Sequence, residues 1–416
     1  MLARGSEPGP DPRVNRPAAL VLTPRPPWPL DDGGRIGLWQ MVWAVAQGWD
    51  TTLVTLVAPA DERFPAPPEL ATLGVRVVRV PFSPPPLPLA LVRGAFGRWP
   101  HTLARYRSER VARTIRAIAA RVQPRLALVN HLHLASYTPD LRPATVVLRE
   151  HNVESSWLAR YAASRGDPLT RAYVAFQARR MRRAERELCE AADLVLAIHD
   201  VEAAELESLA PRARLATVPV GVDETRFLAH APTRPPCVLL TGAFGWQPNT
   251  EGASRFLAEG WGRVRSRHGQ ATLRLVGKDL GGPLAAQARA AGAEPVGYVR
   301  AIEPEFAAAS VLVVPLWVGA GMRVKIVEGM MAGVPVVATP LAAEGMRLEH
   351  GRHLLLAETP EALGDAVATL LDEPERARAL ALAGQAEACA RWSMSTVAAD
   401  MLRRCESAIA AREARA

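Results

Sequence analysis

The 416-residue sequence is poor in cysteine. The four thiols, Cys189, Cys237, Cys389 and Cys405, form no CxxC pair and have no histidine at zinc-site spacing. That scatter argues against a disulfide framework and against a bound metal, and it fits a reducing, cytoplasmic setting. Long hydrophobic runs are missing too. No uncharged apolar stretch approaches the ~18–20 residues needed to span a bilayer, so any membrane contact is expected to be peripheral, at the inner face of the cell membrane. A GxGxxG fingerprint is lacking, which leaves a dehydrogenase-type dinucleotide fold unsupported. No aromatic–basic interleaving of the kind on which nucleobases stack is found, so no nucleic-acid partner is expected. Acidic residues are in deficit: 42 Asp and Glu stand against 50 Lys and Arg, a net charge of +8. The balance favours acidic partners without choosing among phosphates, nucleic acid and anionic surfaces.

What is present is ample apolar material, 49% of residues, in a chain long enough for two domains. Residues 1–17 are Gly/Pro-rich and charged, lack the apolar core of a signal peptide, and read as a disordered leader. Beyond them, short β-branched runs alternate with helical segments, the pattern of parallel sheets covered by helices. Strands are expected at 18–23, 52–58, 75–80, 126–130, 145–150 and 193–198, then at 238–242, 272–276, 311–315, 335–339 and 353–356. Prominent helices are expected over 34–47 and, as one long element, 155–191. A Pro-rich linker follows VPVGVDETRF near 218–237 and divides the chain. The expected fold class is α/β, with two doubly wound Rossmann-like domains facing across a cleft, 18–220 and 221–391, followed by a C-terminal segment 392–416. Between doubly wound domains, ligands belong beyond the carboxyl ends of the strands. Residues 81–121 interleave apolar and arginine side chains. They suit either an ordinary surface helix pair or a basic amphipathic face for an acceptor or anionic lipid.

The strongest chemical signal is Gly319-Ala-Gly-Met-Arg-Val-Lys-Ile-Val-Glu328. It follows a buried strand and opens a helix. Gly319 and Gly321 permit close backbone approach, the helix start offers N–H groups and a positive dipole end, and Arg323 and Lys325 add two cations, an arrangement that suits a diphosphate. Glu328, three residues after Lys325 on the same helix face, can accept hydrogen bonds from ribose hydroxyls. The competing reading is a glycine turn followed by a Lys–Glu surface pair. The turn PLDDGGR sets Gly33 and Gly34 at the start of the first helix, for phosphate or sugar approach or, equally, as a turn capped by Asp31 or Asp32. In REHNVES, His151 stands at a strand end and is the candidate for touching substrate; the alternative is a surface histidine with Asn152 or Ser155 capping the next helix. His131 and His133, at the preceding strand end, read as structural or acceptor-side. In TGAFGWQPNT, Asn249 or Thr250 reads as a helix cap.

Taken in order, DGG, EHNVES, VPVGVD, GWQPNTEG, LRLVGKD and GAGMRVKIVEGMMAGVPVVAT with AAEG after it resemble a bacterial family 4 (group 1) glycosyltransferase of the GT-B fold, over nearly the whole chain after the leader. The resemblance implies a metal-independent, retaining enzyme that uses a UDP- or GDP-sugar as donor, needs no further cofactor, and acts on a glycan or lipid-linked acceptor in cell-envelope or exopolysaccharide synthesis. It places Arg323 and Lys325, with the Gly319, Gly321 and Met322 loop, on the donor phosphates. Glu328 falls on the ribose, His151 beside the transferred sugar as a catalytic residue with Glu328, and Gly33 and Gly34 against the donor. One departure stands out: where such enzymes carry two glutamates separated by seven residues, the second matches Glu328 but the first position holds Ala320. A nucleotide-sugar epimerase and a non-catalytic nucleotide-sugar-binding subunit are the rival readings.

Overall fold

The computed structural model describes residues 16–30, 33–163, 166–227, 232, 235–319 and 322–415. Most of the expected leader, the capping aspartates Asp31 and Asp32, and Ala320 with Gly321 lie outside the described residues. Arg16 and Pro17 are already tied down: Arg16 donates to the Ala46 carbonyl, and Pro17 accepts from the Asp50 amide.

Two parallel sheets organise the chain. The first is built from β1 (Ala18–Thr23), β2 (Asp50–Val57), β3 (Arg76–Pro81), β4 (Leu126–Asn130), β5 (Thr145–Arg149), β6 (Leu194–Ala197) and β7 (Leu215–Thr217), in the order β3-β2-β1-β4-β5-β6-β7. The second uses β8 (Cys237–Thr241), β9 (Thr272–Val276), β10 (Glu294–Gly297), β11 (Val311–Val314), β12 (Val336–Ala338) and β13 (Leu355–Leu356), ordered β10-β9-β8-β11-β12-β13. Central strands such as β4 and β11 are buried along their whole length, as strands covered by helices on both faces must be. Each sheet reverses its winding once, between β1 and β4 and between β8 and β11. Those two switch points are where an open α/β sheet leaves a crevice at its carboxyl edge.

Differences from the sequence reading are local. The long helix expected over 155–191 is two helices, Glu154–Ala163 and Pro168–Ala191. The second starts afresh because the Asp167 carboxylate caps it, accepting from the Thr170 amide, with Pro168 in its first turn. Strands β7 and β10 were not expected; both lie at sheet edges and are only partly buried. The run 353–356 contributes two strand residues, Leu355 and Leu356.

The final helix, Met394–Glu413, begins at a Ser393 cap and lies on the first sheet. Val397, Ala398, Met401, Cys405, Ala408 and Ile409 belong to the same core as β1 and the helix Gly33–Gly48. Arg125 grips Glu413 through two hydrogen bonds of 2.8 Å, and Arg412 reaches Asp193 at 3.0 Å. The chain thus crosses between the sheets twice, and the crossings hold each other: the Val222 amide donates to the Trp392 carbonyl (2.8 Å) and the Met394 amide to the Val222 carbonyl (2.9 Å).

Candidate active site

At the second sheet's switch point, β8 ends in Thr241-Gly242 and the helix Val324–Met331 starts beyond β11. Between them opens a cavity of about 540 Å³, closed on the far side by Pro29, Leu30, Gly33 and Gly34 from the first sheet's leading loop. The two walls approach one another: a methyl group added at Gly33 would make ordinary van der Waals contact with a Val324 methyl at 3.7 Å. The cavity brings Gly33, Gly34, Met322, Arg323, Lys325 and Glu328 together, all residues singled out from the sequence.

Lys325 is the centre of it. Its ammonium donates to the Thr241 carbonyl and to Asn249 Oδ1 at 3.0 Å. Burial, reinforced by the nearby Arg323 guanidinium and only partly opposed by Glu328, lowers its pKa to about 7. Arg323 is buried, packs over the Trp246 ring with its guanidinium carbon 5.4 Å from the centroid, and is lowered to about 10 by desolvation. Glu328 is pushed above the usual carboxylate range by burial, against the pull of Arg226; Arg226 itself is paired with Glu303. Among the described residues no side chain caps the helix Val324–Met331; the Ile326 amide bonds the Arg323 carbonyl at 2.9 Å, and the amides ahead of it are the ones a helix start offers to an anion. Two cations thus stand in low dielectric beside a helix start, a setting that suits a diphosphate.

Gly319 does not line the cavity; it makes room for a residue that does. Its φ is +132°, and a Cβ there would sit 2.8 Å from both the Arg323 guanidinium and the Trp246 ring. Gly321 lies outside the described residues.

Sequence reasoning missed several contributors. Asn249 is no cap: it sits inside the helix Gln247–Arg255, its amide donating to the Ala243 carbonyl while its oxygen holds Lys325. Thr250 likewise turns back to the Phe244 carbonyl. Gly242 leaves the space Lys325 occupies, since a Cβ would fall 3.0 Å from Nζ. Lys278 and the exposed Tyr298 also line the cavity. A signal for Lys278 was available in composition: of the fifty Lys and Arg residues only Lys278 and Lys325 are lysines, and both face this one cavity.

His151 is not in this cavity. It lines an adjoining one of about 490 Å³ at the first sheet's switch point, and Gly34 is common to both. Its Nε2 lies 3.0 Å from Asn130 Oδ1. With an oxygen facing it, that nitrogen carries the proton and Nδ1 presents a lone pair. Burial, with His131, Arg149 and Arg25 nearby, holds the ring well below the usual histidine pKa, so it is neutral. The capping reading for Asn152 or Ser155 is corrected. The following helix, Glu154–Ala163, has its first amides, at Glu154 (2.7 Å) and Ser155 (3.2 Å), bound by the Glu185 carboxylate from the neighbouring helix.

His131, His133 and Glu154 bring three metal-ligand atoms within 4.8 Å of one another, the one such group among the described residues. The two imidazoles stack with centroids 3.9 Å apart and planes 23° apart. Their in-plane lone pairs therefore run side by side instead of converging, a poor cradle for an ion.

Residues 235–373 match the family model described as Glycosyl transferases group 1. The chain carries a group 1 glycosyl transferase domain in a GT-B fold. Solved structures with the same fold cover almost all of this chain. Sucrose-phosphate synthase from Thermosynechococcus elongatus aligns over 95% of this chain and 100% of its own, with a TM-score of 0.70 at 20% identity. Anabaena HepE in complex with UDP and glucose covers 94% of this chain and 100% of its own (TM-score 0.66, 16% identity). The α,α-trehalose 6-phosphate synthase from Burkholderia multivorans covers 95% and 100% (TM-score 0.64, 14% identity). A search of curated proteins finds no sequence match. Among the described residues no helix is long and apolar enough to cross a membrane.

Proposed function

We propose that this glycosyltransferase takes a sugar from a UDP- or GDP-sugar and passes it to a glycan or glycolipid acceptor with retention of configuration, without a bound metal, in building a cell-envelope glycan or exopolysaccharide. The observation that carries the reading is Lys325, a buried ammonium beside Arg323 at the bare helix start, facing a cavity of donor size. The HepE structures with UDP and with UDP-glucose support a uridine donor. In this scheme Lys325, Arg323 and the helix amides neutralise the leaving diphosphate. Glu328 accepts from the ribose, and the cleft closes over the donor so that each charge contact strengthens as water leaves. His151 lines the adjoining cavity, which shares Gly34 with the donor cavity, and offers its Nδ1 lone pair to a hydroxyl of the sugar.

Calorimetry tests the donor assignment. Removing a charge-assisted hydrogen bond costs about 1.5–3 kcal/mol, one to two orders of magnitude in affinity. Lys325→Ala is expected to weaken a nucleoside diphosphate and its sugar ester by that much while leaving nucleoside binding nearly unchanged; Glu328→Gln is expected to weaken all three. A folded Lys325→Ala protein that binds the diphosphate as tightly as the parent refutes the site. Formation of an altered nucleotide-sugar with no acceptor present would transfer the reading to an epimerase.

Peripheral contact with an anionic membrane belongs to the same proposal. The helix Leu87–Phe96 leaves Leu89, Val92 and Phe96 exposed, the last at 88%, with Arg93 and Arg98 beside them. Attraction to anionic lipid is worth about 1 kcal/mol per basic residue and fades with salt. Sedimentation with anionic liposomes, but not with neutral ones, is the expected result.

A further inference from the structure

The cavity at the first sheet's switch point holds an unusual wall. Five flat rings follow one another through it: Phe82 to Tyr106 (centroids 5.6 Å), Tyr106 to His133 (4.8 Å), His133 to His131 (3.9 Å) and His131 to His151 (5.0 Å). The ladder ends at His151, beside the junction with the donor cavity. His131 is held at φ +98°, a backbone conformation that costs a non-glycine residue and that concentrates at functional sites.

Charges of both signs meet the ladder: the Glu154 carboxylate lies 4.0 Å from His131 Nε2, while arginines stand on the cavity side. Arg25 and Arg105 line the cavity, and both are near enough to the rings to disfavour their protonation. The carboxylate in the lining, Asp61, is engaged by Arg35 at 2.9 Å. No carboxylate oxygen lies within 4 Å of the exposed Arg105 among the described residues. Resting on the donor assignment above, we infer that this cavity is the acceptor site and that the acceptor carries an anionic group, a phosphate ester or a carboxylate, held by Arg25 and Arg105 while its sugar ring lies along the histidine ladder. The geometry orders the two ends. The ladder's outer end, at Phe82 and Tyr106, is the side of Arg105, and its inner end is His151. An acceptor anchored by its anion therefore directs a hydroxyl toward His151 and the donor. A guanidinium fork matches phosphate and carboxylate oxygens in a way no neutral side chain does.

Equilibrium dialysis with radiolabelled inorganic phosphate, on full-length enzyme saturated with nucleoside diphosphate, tests this directly. The expected result is one phosphate bound beyond the diphosphate. Its affinity should fall at least tenfold in Arg105→Gln, whose side chain is exposed and whose loss leaves the fold intact, and further in Arg25→Gln with Arg105→Gln. Binding of the diphosphate, measured in the same samples, is expected to stay unchanged; its loss in the parent enzyme would instead indict the donor assignment. Competition by hexose phosphate, hexuronate and neutral hexose then names the source. Displacement by the first selects the phosphate ester, and displacement by the second the carboxylate. No phosphate bound beyond the diphosphate, phosphate affinity indifferent to both arginines, or a neutral hexose competing as well as the charged sugars would each overturn the inference.

Discussion

A lysine titrating near neutrality inside the donor cavity makes donor binding a proton-linked event. Ordinary lysines titrate near ~10.4, whereas Lys325 is brought to about 7 by burial and by Arg323. A diphosphate seated against it supplies the missing counter-charge, so the pKa in the complex rises. The sign follows: affinity is fully present below pH 7 and falls as pH climbs from 7 toward the pKa of the complex, by about tenfold per unit. At pH 8 about 0.9 proton is taken up per donor bound, and at pH 6 only about 0.1. The empty protein behaves in the opposite sense, gaining stability as pH rises from about 7 to ~10, where the unfolded chain alone still protonates this amine. Calorimetry in buffers of different ionisation enthalpy measures the uptake. A nucleotide-sugar is the ligand to use, because its diphosphate has no ionisation near neutrality, unlike a terminal phosphate with its pKa near ~6. Metabolic labelling with 13C-lysine gives an independent reading, since the chain has only Lys278 and Lys325 and two signals suffice to follow the titration. Lys325→Met is expected to abolish the uptake along with most of the affinity. Uptake near zero at pH 8, or a lysine signal that titrates only above pH 9, would refute the argument.

Other outcomes follow from the same geometry. His151→Ala should lower turnover far more than it weakens nucleotide binding, because His151 lines the neighbouring cavity; steady-state rates set against binding constants check this. Gly242→Ala places a methyl 3.0 Å from Lys325 Nζ and 2.9 Å from the Asn249 amide, so donor affinity should drop about tenfold or more with the fold retained, read by calorimetry and thermal melting. Glu185→Ala strands the first amides of the helix Glu154–Ala163 and should cost about 1–3 kcal/mol, seen in chemical denaturation. Transfer activity should survive chelator; loss restored by magnesium or manganese would count against a metal-free mechanism.

Much of this was legible in the sequence, for identifiable reasons. Buried parallel strands must be apolar on both faces, so β1 and β4 stand out as nearly continuous runs and their limits coincide with the expected ones. The Gly319–Glu328 segment concentrates its signal within one loop and one helix turn, and the cavity gathers the described residues chosen from it apart from Gly319. What escaped notice depends on partners distant in the chain. Asn249 reads locally as a cap; only the packing of β8 against the helix Val324–Met331 reveals it as the support of Lys325. Glu185 looks like any helical glutamate until a second helix presents two bare amides to it. Edge strands β7 and β10 bury too little to require apolar runs. The helix break before Pro168 was signalled by Asp167-Pro168, but the periodicity on either side outweighed it.

The final helix has a consequence for how the protein is made. Six of its side chains complete the core under the first sheet, and Ser393 is bonded through its neighbours to Val222. As the chain leaves the ribosome, the first sheet's residues emerge before the second's, yet the surface that closes the first core appears only after the second sheet. Domains that fold as units during synthesis ordinarily finish in order; here the first cannot finish until the second has been translated. Fragments ending before Met394 should therefore expose the apolar face of the helix Gly33–Gly48 and aggregate.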